Sequence, residues 1–457
     1  MNLGIKIANI KKVFLCIYFT GVEIFNRTTT LQLKGRMSME HLGTYVIYVI
    51  MAFVIIGAIA AVRNEEEGMG KEFIQGIHTI GPIFIPIAAT LASIPYLSKF
   101  IEFAFGPLFS AIGADPAMAA TTLISSDMGS YQLADVLASD RENWIIATVN
   151  GIIMGPHIIF TIPVALAMLQ KRDHKYLALG MMSGVLTVPI SVFITTSILA
   201  LTETKIRDTI STTAEPTYQL SMSIGTILIN LIPLTAVGIF IAVGLRMFPN
   251  LMIKGFMAIG WFMSTAMKLV LACTIVEYFT GVFTAIFGHW GFDPIIADAK
   301  DQFRGLEIAG YIGIMLAGAF PMVYAIQKYL AKPLQFFGKL LGLSSIGSAG
   351  VIAATANPLA LFKIIKDMPA KDKVLTIAYA ISGGWMIGDQ LAFPANFQPT
   401  IIIPVMLGKF LGAVLAILLC YWISIPKALE IERLEKLENK TKKQQNTAAE
   451  DPLEATS

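Results

Sequence analysis

The sequence predicts an all-α protein that crosses a membrane many times, and three observations support this fold class. First, 55% of the 457 residues are hydrophobic and only 14% are charged, whereas soluble domains carry about 25% charged residues. Second, runs such as 42–62 and 144–169 contain no Asp, Glu, Lys or Arg and are long enough to cross about 30 Å of hydrocarbon as helices. Third, these runs lack the alternation of apolar and polar residues that marks the strands of a membrane barrel.

Nine apolar segments are predicted to span the membrane as helices. They are 42–62, 73–97, 144–169, 176–201, 220–245, 255–287, 308–329, 374–391 and 400–425. Two further segments, 106–137 and 342–365, are apolar but interrupted by Gly, Pro, Ser and Asn. We predict that they are broken or re-entrant hairpins, which gives between nine and eleven transmembrane helices in all.

The order of these segments repeats within the chain. Two spans, a broken hairpin and two further spans occur at about 42–201 and again at about 255–425, with a linking helix at about 220–245. Lys-rich and Asp-rich loops alternate along the chain, and this alternation predicts opposite orientations for the two copies. An inverted repeat of this kind is typical of secondary transporters, which hold their substrate near the middle of the membrane.

The two ends of the chain lie outside the predicted transmembrane domain, which covers residues 37–426. Residues 1–36 are predicted to be an N-terminal extension, and its apolar stretch at 13–25 is short for a span. A start at Met37 or Met39 would leave this extension untranslated. Residues 427–457 are predicted to form a charged cytoplasmic tail. The layout predicts a multi-pass protein of the cytoplasmic (inner) membrane.

The sequence also argues against several classes of function. It contains no GxxxxGK[ST] loop, no HExxH motif, no GxSxG elbow and no dinucleotide-binding glycine motif, so neither an enzyme nor an ATP-driven pump is expected. Its three cysteines lie far apart and no His stands at metal-ligand spacing, so neither a metal nor another cofactor is expected. A net charge of +3 is too small to indicate a nucleic-acid partner. The expected partners are the lipid bilayer and a small molecule, and a homo-oligomer stays open.

Polar residues at the predicted breaks are the candidates for a substrate site, because an ionisable group at membrane depth costs several kcal/mol and therefore has a function or a partner. Asp127 lies in the first hairpin, and Asp389 lies at the end of the eighth predicted span, where both carboxylates could bind a cation. Amides and aromatic faces near the same breaks could bind the rest of an amine: Asn150, Asn357, Asn396, Tyr131 and Trp385. The alternative is a structural role, as helix caps for the two acids and as packing for the others.

The chain resembles a known family across residues 39–425. The run Met154-Gly-Pro-His-Ile-Ile-Phe-Thr-Ile-Pro-Val-Ala-Leu166 is similar to the corresponding run of the bacterial ethanolamine permeases, EutH. Ser126-Asp-Met-Gly129 and Gly388-Asp-Gln-Leu-Ala-Phe393 are similar to further motifs of that family, in the same order. The chain departs from the family pattern at Gln390, where a His is expected.

This resemblance implies a permease that carries protonated ethanolamine, a small amine, into cells that degrade it. Together with the residue pattern it gives the hypothesis of a secondary permease whose cation site contains Asp127 and Asp389. Two alternatives stay open. One is an ion-coupled transporter of another small amine or zwitterion, which the same architecture would serve. The other, from a different class, is a membrane scaffold or sensor that recruits cytoplasmic partners through its charged tail.

Overall fold

The computed structural model describes residues 39–123 and 129–450, and these parts of the chain are almost entirely helical. Helices are expected here because lipid offers the backbone no hydrogen-bond partners, whereas a helix satisfies its own N–H and C=O groups. The candidate Asp127 and the predicted extension 1–36 lie outside the described residues.

The part of the chain before residue 202 contains the first series of helices. These are α1 (Met39–Arg63), α2 (Gly68–His78), α3 (Ile80–Ala92), α4 (Ile94–Ala104), α5 (Gly106–Ala111), α6 (Ala117–Leu123), α7 (Gly129–Leu137), α8 (Arg141–Pro156), α9 (Ile162–Met168), α10 (His174–Val185) and α11 (Val188–Leu201). A π-helical turn at His157–Thr161 joins α8 to α9, and a 3-10 turn at Lys171–Asp173 precedes α10. A short antiparallel pair follows, in which β1 (Lys205–Ile206) pairs with β2 (Tyr218–Gln219).

The remaining helices follow this strand pair. They are α12 (Ile224–Met247), α13 (Pro249–Thr280), α14 (Val282–Phe287), α15 (Gly305–Tyr329), α16 (Ala331–Leu340), α17 (Ser345–Ala356), α18 (Pro358–Ile364), α19 (Ala370–Gly383), α20 (Asp389–Phe397), α21 (Ile402–Ile423) and α22 (Ile425–Glu450). Two 3-10 turns, Ile365–Asp367 and Pro399–Ile401, precede α19 and α21.

Seven helical segments of the described chain are long and apolar enough to cross a membrane: His41–Arg63, Gly68–Ala92, Lys171–Leu201, Ile224–Met247, Pro249–Thr280, Gly305–Tyr329 and Pro399–Ile423. The pair α16 and α17, bent by 113°, would make eight if it counts as one span. The protein is therefore an all-α, multi-pass membrane protein. The predicted spans 144–169 and 374–391 are not among the seven, because the π-helical turn interrupts the first and non-helical residues 384–388 interrupt the second.

Contacts between loops place one set of helix ends on a common face of the molecule. Lys373 forms an ion pair with Asp173 at 2.5 Å, and Lys175 forms one with Glu435 of α22. The loops before α10 and α19 and the tail helix therefore lie together. We call this surface the basic face, and its cations are Lys171, Arg172, Lys175, Lys363, Lys366, Lys371 and Lys373.

A second set of contacts defines the opposite face. The Tyr218 hydroxyl donates to Glu142 at 2.9 Å, which brings the strand pair to the start of α8. The Asp293 N–H donates to the Ala92 carbonyl at 2.9 Å, which brings the loop 288–304 to the end of α3. The loops and helix ends on this face carry Asp135, Asp140, Glu142, Asp293, Asp298 and Asp301.

The helices pack into two groups, each held by close backbone approach. In the α15 group (α1, α2, α3 and α15), a Cβ on Gly318 of α15 would lie only 2.4 Å from the Ile50 carbonyl of α1. In the α19 group (α10, α11, α19 and α21), a Cβ on Gly408 of α21 would lie 2.7 Å from the Ser191 carbonyl of α11. Small residues at such contacts allow membrane helices to maximise van der Waals packing. Helix α17 packs on the α19 group through α19.

Candidate functional site

A cavity of about 770 Å³ lies between the α15 group and a second wall of broken helices. One wall consists of α2, α3 and α15 of the α15 group, together with part of α13. The other wall consists of α17, α18, the end of α8 with the π-helical turn, and the break between α19 and α20. Substrate sites of transporters form between such groups where helices are discontinuous, so this cavity is the candidate site.

Two helix breaks cross at the floor of the cavity. One is Asn357, which separates α17 from α18, and the other is the segment 384–388 between α19 and α20. The Trp385 N–H donates to the Ala354 carbonyl at 3.2 Å, and the Ile387 N–H donates to the Thr355 carbonyl at 3.0 Å. The last carbonyls of α17 have no partner within their own helix. The N–H groups of the segment 384–388 therefore pair with the last carbonyls of α17. This pairing stabilises non-helical backbone at this depth.

Asn357 and Asp389, two of the predicted site residues, both line this floor. The Asn357 Oδ1 accepts a hydrogen bond from the Leu359 N–H at 2.8 Å and so caps α18, while its Nδ2 makes no hydrogen bond within the described residues. Asp389 is partly buried at the first position of α20, and its Oδ1 accepts from the Gln390 N–H at 3.0 Å. The floor thus combines a carboxylate, which can bind an ammonium group, with an amide donor.

Trp385 adds an aromatic face to the floor and connects the two halves of the chain. Its φ of +59° is strained for a residue with a side chain. Its indole Nε1–H donates to the Thr161 hydroxyl of the π-helical turn at 3.3 Å, and its ring centroid lies 6.1 Å from that of Phe160. Phe160 and Trp385 both line the cavity, and aromatic faces of this kind attract cations.

The cavity opens toward the basic face. Lys71 and Gln75 of α2 and Lys363 of α18 line its outer part and are exposed. Gln327, two residues before the end of α15, lines the same region. Among the described lining residues the charged groups are therefore two lysines at the mouth, Asp389 at the floor, and Glu72 of α2.

Aromatic rings close the molecule on the opposite face, beyond α20. The ring of Tyr131 lies 4.9 Å from that of Trp144 and 5.1 Å from that of Phe393, which in turn lies 5.1 Å from that of Phe397. The Gln398 amide donates to the Tyr131 hydroxyl at 3.0 Å. We call Tyr131, Trp144, Phe393 and Phe397 the aromatic plug.

Arg207, in the loop 202–223, holds the plug against the strand pair. Its guanidinium donates to the Asn396 carbonyl at 2.7 Å and to the Phe397 carbonyl at 3.2 Å, while its backbone N–H donates to the Gln398 side chain at 3.1 Å. Burial lowers the pKa of Arg207, but an arginine remains charged at physiological pH. The end of α20 is therefore tied to the loop above it.

Three described candidates, Tyr131, Asn150 and Asn396, do not line the cavity. Tyr131 belongs to the aromatic plug, and Asn150 is fully buried, with its Nδ2 donating to the hydroxyls of Thr121 and Thr122 at 3.0 and 2.8 Å. The Asn396 Nδ2 donates to carbonyls of α15 and α20, at 3.1 and 2.8 Å. These bonds join neighbouring elements, so of the described candidates the structure brings together Asn357, Trp385 and Asp389.

Glu72, Lys71, Lys363 and Phe160 line the cavity but were not among the sequence-based candidates. A signal for part of this set is present in α2 and its C-cap, where Lys71, Gln75 and Thr79 recur every four residues and so share one helical face. The sequence alone predicts the start of a span at residue 73 here. The face instead lines the cavity, because the α15 group covers the other side of α2.

Comparison with known proteins gives a consistent result. The model of the family described as "Ethanolamine utilisation protein, EutH" matches residues 42–423. A protein of Listeria monocytogenes named probable ethanolamine permease EutH is 33% identical over 407 residues, which are 89% of this chain and 98% of that protein. A protein of Escherichia coli with the same name is 32% identical over 396 residues, which are 81% of this chain and 93% of that protein. No solved structure matches the chain.

Proposed function

Because this chain belongs to the EutH family of ethanolamine utilisation proteins, we propose that it is a permease that carries protonated ethanolamine across the cytoplasmic membrane. The family assignment makes it a transporter rather than an enzyme. The observation that carries the proposal is the cavity between the α15 group and the broken helices, with the Asp389 carboxylate at the crossing of two helix breaks. Such a crossing is where transporters bind small charged substrates.

The chemistry of the floor fits ethanolamine. Its ammonium group would bind the Asp389 carboxylate, with the Trp385 and Phe160 rings as aromatic neighbours. Its hydroxyl would accept a hydrogen bond from the Asn357 Nδ2. Asp127 is included as a second carboxylate on sequence grounds alone.

Tyr131, Asn150 and Asn396 complete the sequence-based set of site residues. Their hydrogen bonds favour roles in holding the walls of the cavity and the aromatic plug. A direct contact with substrate would require these bonds to break or the cavity to extend toward the plug.

We further propose that the chain has nine spans and two re-entrant hairpins arranged as an inverted repeat. Support comes from the base of each hairpin. Asp115, just before α6, accepts a hydrogen bond from the Ser139 hydroxyl at 2.6 Å, and Asp372 at the start of α19 accepts one from the Ser344 N–H at 3.1 Å. Each hairpin therefore returns to the face from which it starts, the first on the opposite face and the second on the basic face.

Short cytoplasmic loops carry an excess of Lys and Arg, so the basic face is assigned to the cytoplasm. The cavity then opens inward, and the aromatic plug closes the external side. No coupling ion is needed for uptake of a monocation, because a membrane potential of about 100 mV is worth roughly 2.3 kcal/mol per charge. That energy corresponds to about 50-fold accumulation.

Uptake of radiolabelled ethanolamine into cells that lack their own permease tests this function. We expect uptake above that of vector-only cells, with competition by unlabelled ethanolamine and weak competition by alanine. Strong competition by alanine would favour the alternative of a zwitterion transporter. Uptake equal to that of vector-only cells would contradict the proposal.

A further inference from the structure

Two carboxylates line the cavity in the described chain, and they lie on different walls. Asp389 lies at the floor, at the start of α20, whereas Glu72 lies on α2 near the mouth. Glu72 follows Lys71 and precedes Gln75 by about one helical turn, and all three line the cavity. It is partly buried, so water reaches it from the cavity side.

Glu72 lines the cavity without a hydrogen bond or an ion pair in the described chain, unlike the carboxylates that hold the bundle together. Asp115 accepts hydrogen bonds from Ser139, Asp173 pairs with Lys373, and these groups are thereby fixed in structural roles. The Glu72 carboxylate makes neither a hydrogen bond nor an ion pair with any described residue. A charge in such a position is available to a ligand.

The charges at the mouth explain why a substrate cation would need this carboxylate. Lys71 and Lys363 both line the mouth, from different walls. In water, one such charge at about 10 Å lowers the local concentration of a monocation roughly twofold. Two lysines alone would therefore disfavour an ammonium ion at this position, and a carboxylate beside them would offset the repulsion.

We propose that Glu72 is the residue that receives the ammonium group at the cytoplasmic mouth of the cavity and makes that mouth selective for cations. This inference rests on the proposed function, because it assigns a step to a substrate that the permease carries. Asp389 binds the cation at the floor, and Glu72 binds it between the floor and the cytoplasm. Lys71 and Lys363 repel a cation at the mouth, and the contact with Glu72 offsets this repulsion.

The test measures ethanolamine binding from the side to which the cavity opens. In a chain without its three native cysteines, Ser264→Cys places a thiol in the cavity wall on α13. Inside-out membrane vesicles expose the cytoplasmic mouth to a membrane-impermeant maleimide. The measured quantity is the ethanolamine concentration that halves the labelling rate.

We expect Glu72→Gln to raise this concentration about fivefold, the upper end for a partly exposed charge pair. Glu67→Gln is the matched control, because it removes the same charge from an exposed residue just before α2 that does not line the cavity. Glu72→Asp should retain most of the binding, since the charge is kept. The labelling rate without ethanolamine is the control for the folding of each variant.

Salt separates an electrostatic role from a structural one. The half-protecting ethanolamine concentration of Glu72→Gln, divided by that of the wild type, should fall toward one as the ionic strength rises from about 0.01 M to 1 M. The reason is that the Debye length falls from about 30 Å to 3 Å over this range. A ratio that stays constant with salt, or equal protection in Glu72→Gln and wild type, would overturn the role of Glu72. Absence of ethanolamine protection in the wild type itself would instead contradict the proposed function.

Discussion

Asp389→Asn is the substitution that tests the floor of the cavity. The Asp389 Oδ1 accepts a hydrogen bond from the Gln390 N–H at 3.0 Å. Asn has the same size and keeps an acceptor oxygen for this bond, so the start of α20 should be preserved. What is lost is the negative charge that would bind the ammonium group. A hydrogen bond to a charged group contributes about 1.5 to 3 kcal/mol, which corresponds to a factor of about 10 to 150 in affinity.

The structure indicates which end of this range applies. A cavity of about 770 Å³ could hold roughly 25 water molecules at about 30 Å³ each, and water weakens the attraction between charges. We therefore expect the half-saturation constant for ethanolamine uptake to rise about 10-fold in this open arrangement. A rise toward 150-fold would indicate that the cavity contracts around the bound substrate before transport.

Initial rates of radiolabelled ethanolamine uptake, normalised to the amount of protein in the membrane, measure this effect. Asp367→Asn is the matched control, because it removes a carboxylate from an exposed turn on the basic face. An unchanged half-saturation constant in Asp389→Asn, at normal membrane abundance, would refute the role of Asp389 and leave it a helix-terminal residue.

Four further changes test the packing, the site, the topology and the tail. Asp173→Ala should destabilise the protein by about 3 to 5 kcal/mol, because it leaves Lys373 buried without its partner. Glu430→Ala, in the exposed pair with Lys427, should cost at most about 1 kcal/mol. Thermal unfolding of the two variants in detergent compares these losses of stability. Trp385→Leu should weaken ethanolamine binding about 2- to 30-fold, and Trp385→Phe should weaken it less, because a ring remains. Arg172→Cys should be labelled by an impermeant reagent in inside-out but not in right-side-out vesicles. Deletion of 439–457 should leave transport intact, whereas a scaffold would lose its function.

Hydropathy could predict most of the fold because long apolar runs are a property of the local sequence. The long apolar segments correspond to helices such as α12, α15 and α21. Hydropathy did not predict the break at 384–388, which falls inside the predicted span 374–391, because Trp385, Met386 and Ile387 continue its apolar run. The break depends on backbone hydrogen bonds from Trp385 and Ile387 to the end of α17, some thirty residues earlier in the chain.

The site could be predicted only in part, for a similar reason. Asn357 and Asp389 were found because glycine or proline beside a polar residue indicates a break in a helix, and both residues line the cavity. Asn150 and Asn396 have a similar local pattern, but their amides bond to neighbouring elements. Whether a polar side chain faces a cavity or a helix depends on what packs against it. Glu72 shows the reverse case, because it lies where the sequence indicates only the end of a span.

The central claim is that this chain by itself carries protonated ethanolamine along its electrochemical gradient. Uptake of radiolabelled ethanolamine into proteoliposomes containing only the purified protein, with and without an imposed inside-negative potential, tests this claim most directly. We expect saturable uptake that a potential of about 100 mV drives toward about 50-fold accumulation. Uptake no greater than that of protein-free liposomes, or accumulation that does not respond to the potential, would contradict the account.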